Sequence, residues 1–115
     1  MMARNLLIKA PPYEVEQAVK RLGRNLRTAR LRRNLTIEQV AQKIGTGPRA
    51  VMDAEKGKLG TGIAVYTALL WTYDLLGPMA ALADPAGDSE GLTLDRLSGR
   101  TRARARASEG LDNDF

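Results

Sequence analysis

The chain contains neither cysteine nor histidine among its 115 residues. These absences exclude disulfides, thiol nucleophiles, imidazole bases and the ordinary ligand sets of zinc sites. The carboxylates, lysines and hydroxyls that remain form no evident catalytic constellation. We therefore expect neither an enzyme nor a bound cofactor or metal. The lack of cysteine also fits a reducing compartment such as the cytoplasm.

Long apolar runs and leader sequences are also missing. Leu6–Ile8, a candidate for a brief strand, is too short for the core of a signal peptide and is followed by Lys9 and two prolines. The most apolar stretch, residues 63–76, is too short to cross a bilayer and contains Asp74. We expect a cytoplasmic protein with no membrane partner.

Positive charge is abundant but unevenly distributed. Residues 1–58 hold 13 Lys and Arg against 5 Asp and Glu, whereas residues 59–99 hold one Arg against 5 acidic residues. A basic half of this kind is the electrostatic signature of a nucleic-acid-binding protein. A solvated basic face on an ordinary protein is the alternative that charge alone leaves open.

Apolar periodicity predicts an all-α fold. Apolar steps of three and four predict a helix over residues 13–33, with a basic opposite face, after the helix-breaking pair Pro11–Pro12. The inner, core-facing side of this helix is expected to hold Val15, Ala18, Val19, Leu22 and Leu26. Thr36 and Gln39 form a capping box at the start of a second helix. Gly45 is well placed to end that helix in a left-handed conformation.

Residues 43–58, KIGTGPRAVMDAEKGK, follow as a tight turn and a short third helix. Gly47 can serve as the N-cap, Pro48 suits the first helical position, and Gly57 is placed to stop the helix. Residues 36–56 therefore predict a helix-turn-helix motif behind a basic helix.

Two other interpretations of this stretch are a phosphate-binding loop and a plain helical hairpin. A phosphate-binding loop needs a glycine five residues before its Gly-Lys pair, and the chain has Met52 there, so that motif is excluded. A plain helical hairpin remains the alternative to the helix-turn-helix.

Residues 62–76 predict a fourth helix, apolar nearly all round, which must be covered on more than one side. One stripe is expected to fill the core, namely Ile63, Tyr66, Leu69, Leu70 and Tyr73. Trp71, Leu75 and Met79 would then point away and form a dimer or partner interface, because aromatic and methionine side chains are enriched at interfaces. Alternatively, Trp71 covers the domain's own core beneath the segment that follows.

The start of this helix is predicted at a Thr61 cap, and Gly77–Pro78 is predicted to end it. Met79–Ala83 should add one or two helical turns. Residues 86–91 have the composition of a linker, and residues 92–97 are consistent with either a short strand or a helical turn.

Arginines alternate with small residues over 100–106, and a period of two gathers no common helix face. We predict a flexible arm there, with an unbound disordered tail as the alternative. The resulting organisation is an N-terminal extension (1–12), a DNA-binding and dimerisation domain (13–84), and a partly disordered C-terminal segment (85–115) that can bind a partner.

The stretch LGRNLRTARLRRNLTIEQVAQKIGTGPRAVMDAEKGK (residues 22–58) resembles the xenobiotic-response-element family of lambda-repressor-like helix-turn-helix regulators. The matching marks are Leu22-Gly23, Arg30, Leu35-Thr36, Ala41, Ile44-Gly45, Val51 and Glu55-x-Gly57-Lys58. The resemblance covers residues 22 to about 83 and implies a five-helix lambda-repressor-like domain. It also implies a structural ion pair between Arg30 and Glu55.

A narrower resemblance concerns residues 63–97, which are similar to the C-terminal part of HipB-like antitoxins. It implies a homodimer that binds its own palindromic operator in double-stranded DNA and represses its own transcription. It further implies a HipA-like kinase toxin as the partner that the protein restrains.

The positions that resemble the family's base-reading residues hold Pro48, Arg49 and Asp53, which is a sparse set. Arg49 can contact guanine O6 and N7 in a bidentate manner; a phosphate contact or a free surface arginine are the alternatives. Asp53 can accept from cytosine N4 or orient Arg49 by an i, i+4 pair, and we prefer the second.

The DNA phosphates would be held by a second group of residues, Thr36, Thr46, Lys56 and Lys58. Such contacts fix the register of the protein on DNA but carry no sequence information. A competing hypothesis is a protein-binding inhibitor or adaptor that uses the helix-turn-helix as a scaffold. The sparse third helix favours it, as do the acidic residues 59–99 and the acidic end at 112–115.

Overall fold

In the computed structural model, residues 3–109 fold into six α-helices, and the side chains of residues 6–99 are described. The helices are α1 (Ala3–Lys9), α2 (Tyr13–Arg32), α3 (Ile37–Ile44), α4 (Pro48–Glu55), α5 (Ile63–Thr72) and α6 (Ser89–Glu109). Two 3₁₀ segments, Gly77–Ala81 and Pro85–Gly87, lie between α5 and α6. The predicted all-α fold is confirmed over these residues.

The chain divides into two compact units, residues 1–77 and residues 78–115. The first unit contains α1 to α5 and with them the whole helix-turn-helix. The second contains α6, which packs against the 3₁₀ segment Pro85–Gly87. The division falls at Gly77–Pro78, inside the segment 13–84 that the sequence pattern assigned to one domain.

The core of the first unit lies where α4 packs against α2, α3 and α5, with α3 also packing on α5. Val51 and Ala54, three residues apart on α4, are completely buried. The buried apolar side chains around them are Leu26, Ala29, Val40, Ala41, Tyr66, Leu69 and Tyr73. One face of α4 is therefore fixed inside the unit, and this decides which of its residues face outward.

Three predicted core residues lie at the surface instead. Val15 and Ala18 are exposed because α2 packs on the core only from Val19 onward. Ile63 is 65% exposed because it is the first residue of α5, beyond the edge of the packed stripe. The core is correspondingly smaller than the apolar pattern predicts.

Local sequence sets the boundaries of α3 and α4. The Thr36 hydroxyl accepts the N–H of Gln39 at 3.0 Å, and the Gln39 side-chain oxygen accepts the N–H of Thr36 at 2.9 Å. Gly45 ends α3 with a φ of 81°, in the left-handed region that favours glycine. Gly47 is the N-cap of α4, and Pro48 is its first residue. All of these predicted features are confirmed.

The possible strand at Leu6–Ile8 is wrong, because these residues belong to α1. A short helix satisfies its backbone hydrogen bonds internally, whereas a strand needs a neighbour. The helix ends before Ala10, where the following Pro11 disfavours the helical conformation.

The predicted limits of α5 are also wrong. Its N-cap is Gly62 rather than Thr61, and the helix ends at Thr72 instead of 76. Asp74 takes a left-handed conformation, with a φ of 59°, and the N–H of Leu75 turns back to the Leu70 carbonyl at 2.8 Å. Aspartate adopts this conformation more readily than most residues, so the helix stops without a glycine.

The C-terminal segment is more helical than the sequence suggested. Residues 92–97 and 100–106 are parts of α6, so the flexible arm is corrected to a helical backbone. Leucine, arginine and alanine are strong helix formers. The alternation of arginines excludes a common arginine face on a helix, but it does not exclude the helix itself. The side chains of 100–106 and all of 112–115 lie outside the described residues.

Gly23 allows α2 and α4 to approach closely. A Cβ atom at this position would lie 2.5 Å from the Ala54 carbonyl oxygen and 2.6 Å from that of Glu55. Real Cβ atoms do not approach backbone oxygens this closely, so a side chain at position 23 would push the two helices apart.

We expect Gly23→Ala to destabilise the protein although alanine is the better helix former. Overpacking costs roughly 1–3 kcal/mol and helix propensity returns about 1 kcal/mol. A net loss near 1 kcal/mol lowers the melting temperature by about 4–8 °C in a unit of this size. Thermal melts followed by circular dichroism measure this decrease in melting temperature. Gly60→Ala, at a position open to solvent, is the control and should change little; a Gly23→Ala melt at or above wild type would contradict the close-packing argument.

Candidate nucleic-acid interface

A buried ion pair fixes the orientation of the helix-turn-helix. Arg30 and Glu55 are only 7% and 8% exposed. The Arg30 Nε donates to Glu55 Oε2 at 2.7 Å, and one terminal nitrogen donates to Oε1 at 3.0 Å. The other terminal nitrogen donates to the Leu35 carbonyl at 2.9 Å. One guanidinium therefore ties the end of α2 to the end of α4 and to the residue that precedes the α3 cap.

The hydrogen bonds to Glu55 raise the pKa of the Arg30 guanidinium above its ordinary value, and they outweigh the opposing effect of burial. Both charged groups are thus fully compensated inside the unit. Since their charged atoms point at each other and away from solvent, the pair holds α4 in place and is not available to DNA.

The start of α4 is the exposed end of the motif. Gly47, Pro48 and Arg49 are exposed, whereas Ala50 and Met52 are half-buried. The predicted base-reading residues Pro48 and Arg49 therefore stand side by side at this end. Arg49 is the only charged residue in the first turn of the helix, and a guanidinium at this place can reach a base edge.

Asp53 does not form the i, i+4 pair with Arg49 that we expected. Its Oδ1 lies 3.3 Å from the Lys58 Nζ, and the carboxylate is largely buried. The preferred i, i+4 pair with Arg49 is therefore replaced by an ion pair with Lys58. The reason is that the chain turns back at Gly57, which brings Lys58 beside α4.

The predicted phosphate-binding residues lie at two places on the motif. Thr36 is exposed at the N-terminus of α3; its oxygen accepts within the capping box, so its hydroxyl hydrogen stays free to donate. Thr46 is half-buried in the turn. Lys56 and Lys58 are exposed after α4, and Lys58 carries its charge next to Asp53.

The predicted interface residues are divided between the two units of the chain. Trp71 is 59% exposed and Leu75 is 44% exposed, both in the first unit. Met79 is half-buried and belongs to the second unit. Lys43 of α3 lies over the Trp71 ring, with its Nζ 5.8 Å from the ring centroid. The indole is thus presented to solvent beside a lysine, and it does not fill the core.

Sequence reasoning missed one positioning residue, Arg33, and it missed the close contact that Gly57 makes with α2. Arg33 donates to the Ala29 carbonyl at 2.9 Å and to the Tyr73 carbonyl at 3.0 Å, which ties the end of α2 to the end of α5. Gly57 has a φ of 72°, and a Cβ there would lie 2.5 Å from the Lys20 Cα. The sequence predicts that Gly57 ends α4 but does not indicate its close approach to Lys20, and Arg33 looks like one of several surface arginines.

The described part of the chain has neither a metal-binding cluster of side chains nor a membrane-spanning helix. There, no three acidic side chains come together as a metal site would require. None of the described helices is both long and apolar enough to cross a membrane.

Comparison with known proteins supports the motif. A family model described as a helix-turn-helix domain matches residues 21–83, which is more than half of the chain. The match is general to such domains and does not single out the HipB-like antitoxins. No curated protein and no solved structure matches the chain.

We expect Arg30→Met and Glu55→Gln each to destabilise the protein strongly. Removing one partner strands the other charge, which costs roughly 3–5 kcal/mol for a buried pair. Melting temperatures should fall by more than about 10 °C. The matched control is the exposed pair Glu16–Lys20, 3.3 Å apart, whose variants Glu16→Gln and Lys20→Met should cost at most about 1 kcal/mol. Melts of both buried-pair variants within a degree of wild type would refute the structural role.

Proposed function

The chain belongs to the helix-turn-helix domain family, and from this we propose that it is a sequence-specific DNA-binding transcriptional regulator. The observation that carries the proposal is the outward-facing start of α4, where Arg49 is exposed while Val51, Ala54 and Glu55 are buried behind it. A helix held rigidly by its inner face and exposed at its N-terminal end suits the major groove.

In this proposal, the first turn of α4 enters the major groove and Arg49 donates two hydrogen bonds to guanine O6 and N7. Thr36, Thr46, Lys56 and Lys58 hold the phosphates on either side of the groove. These contacts set register and orientation, whereas Arg49 supplies the discrimination between bases. Asp53 acts on this surface only through Lys58, whose charge it partly offsets.

The reading surface is small, and this limits what it can distinguish. Gly47 has no side chain and Pro48 has no hydrogen-bond donor, so two exposed positions at the start of α4 read no base edge by hydrogen bonding. Discrimination at other base pairs must then come from DNA shape and deformability, or from a second copy of the motif.

We propose a homodimer for this reason. Two recognition helices placed roughly 34 Å apart would read a palindromic operator. The exposed Trp71 and Leu75 support an interface on the first unit, and Met79, in the second unit, is a separate candidate contact. Burying about 150 Å² of indole would contribute roughly 4 kcal/mol before ordering costs, which is large for one side chain.

The finer proposal is an autorepressing antitoxin that also restrains a HipA-like kinase toxin. Its support is the exposure of leucines on α6, where Leu94 and Leu97, three residues apart, are 58% and 75% exposed. Apolar side chains at i and i+3 share one face of a helix and can contribute to a partner-binding surface. The same observation favours the second candidate function, an inhibitor or adaptor in which the helix-turn-helix is mainly a scaffold.

We expect Arg49→Ala to weaken binding to the operator more than binding to random DNA. A lost bidentate base contact removes about 1–3 kcal/mol of discrimination, or roughly 5- to 150-fold. Gel shifts with DNA from upstream of the gene, and with a random duplex, measure the ratio.

Lys58→Ala is the contrasting variant in the same assay. It should weaken both complexes alike and reduce the salt slope by about 0.9, as expected for one phosphate contact. Arg32→Ala, an exposed arginine of α2, controls for loss of charge. Equal weakening of both DNAs by Arg49→Ala would make Arg49 a phosphate contact, and no binding to either DNA by the wild type would favour the adaptor.

We expect Trp71→Ala to shift the protein from dimer to monomer at micromolar concentration. Analytical ultracentrifugation measures the distribution. Tyr13→Ala is the control, because Tyr13 is an aromatic residue of α2 that is 73% exposed. A wild-type monomer would refute the dimer, and a dimeric Trp71→Ala variant would move the interface away from this side chain.

A further inference from the structure

A cleft of about 750 Å³ opens beside the helix-turn-helix in the first unit. Its walls are the end of α1 with Pro11, the first half of α2, the outer face of α4, and the segment from Lys56 to Gly62. The N-terminal extension therefore forms one side of a concave surface whose opposite side carries two of the proposed phosphate-binding lysines.

Lysines outnumber carboxylates in the lining of this cleft. Lys20 pairs with Glu16 at 3.3 Å, and Lys58 pairs with Asp53 at the same distance. Lys9 and Lys56 also line the cleft, and among the described side chains neither has an acidic partner within ion-pair distance. Two positive charges are thus left uncompensated in a concave site, where field lines concentrate and anions collect.

The lysines are brought together by a close backbone approach. Gly57 passes so near to α2 that an added Cβ would clash with the Lys20 backbone, and its φ of 72° also requires glycine. This packing places the segment that carries Lys56 and Lys58 against the part of α2 that carries Lys20. The charge cluster is consequently a product of the fold and not of adjacent positions in the sequence.

We propose that this cleft is a phosphate-binding site in which Lys9 and Lys56 are the principal cationic contacts. A lysine ammonium is a compact point charge suited to phosphate oxygens. The lining also includes Gly60 and Gly62, where no Cβ blocks an approach to the backbone. The phosphate can belong to the DNA backbone beside the groove that α4 enters, or to a free phosphorylated compound.

The DNA source rests on the proposed function and would extend the footprint of the protein to its N-terminal extension. Lys9 is the informative residue, because it lies outside the helix-turn-helix and outside the residues matched by the family model. A contribution from Lys9 cannot be attributed to the motif itself.

The test compares two double variants that each lose two positive charges. Lys9→Gln/Lys56→Gln removes the two uncompensated lysines of the cleft. Arg21→Gln/Arg24→Gln removes two exposed arginines of α2 that do not line it. Circular dichroism melts establish that both variants fold.

Binding to a mixed-sequence duplex is then measured over a range of salt concentrations, because phosphate contacts need no particular sequence. In a plot of the logarithm of affinity against the logarithm of salt concentration, the slope of the cleft variant should be smaller in magnitude than that of the wild type. The expected difference is about 1.8 per protomer, 0.9 for each lost phosphate contact. The arginine variant should keep the wild-type slope. In parallel, inorganic phosphate and adenosine monophosphate are titrated at millimolar concentration while the amide NMR signals of residues 57–62 are followed.

A reduced slope confined to the cleft variant supports the site and identifies the DNA backbone as its ligand. The site is supported with a free phosphate as its ligand if both variants keep the wild-type slope and the phosphate compounds shift the amide signals of residues 57–62 in the wild type but not in the cleft variant. The inference is overturned if both variants keep the wild-type slope and the phosphate compounds shift no amide signal of residues 57–62. It is also overturned if the slope decreases equally in both variants. A wild-type protein that binds no duplex refutes the proposed function. In that case the phosphate titration alone tests whether the cleft binds phosphate.

Discussion

The ion pair between Arg30 and Glu55 determines how the recognition helix is presented. Its guanidinium makes three hydrogen bonds, two to the carboxylate of α4 and one to the Leu35 carbonyl just before the α3 cap. Burying two charges is costly, and a pair of this kind adds little net stability compared with apolar side chains. Its directional hydrogen bonds instead favour one orientation of the three helices. Because Glu55 ends α4, the pair anchors the helix at the end remote from Arg49.

The packing of α4 complements this anchor. Val51 and Ala54 present a narrow inner face, and Gly23 removes the side chain that would separate α2 from the end of α4. A short helix of eight residues has little stability by itself. It is held by contacts with three neighbouring helices, and in the proposed function this rigidity allows a few outward-facing side chains to contact DNA.

Charge and shape act together around this helix. The first half of the sequence, which contains α4, is basic, and three of its acidic side chains are paired: Glu55 with Arg30, Asp53 with Lys58, and Glu16 with Lys20. The remaining positive charge lies on exposed arginines and in the cleft beside α1. In the proposed function, this arrangement favours the DNA backbone in general and concentrates sequence discrimination at Arg49.

The sequence by itself determined α3, the turn and α4, because capping boxes, a left-handed glycine and a first-turn proline act over four residues or fewer. It also indicated the Arg30–Glu55 pair, through resemblance to a family. The end of α5 at Asp74, the exposure of Ile63, and the pairing of Asp53 with Lys58 were decided only by the tertiary structure. At the end of α5 the Tyr73 carbonyl accepts a hydrogen bond from Arg33, forty residues away, and the turn that brings Lys58 to Asp53 packs Gly57 against Lys20. Local periodicity carries no information about such contacts.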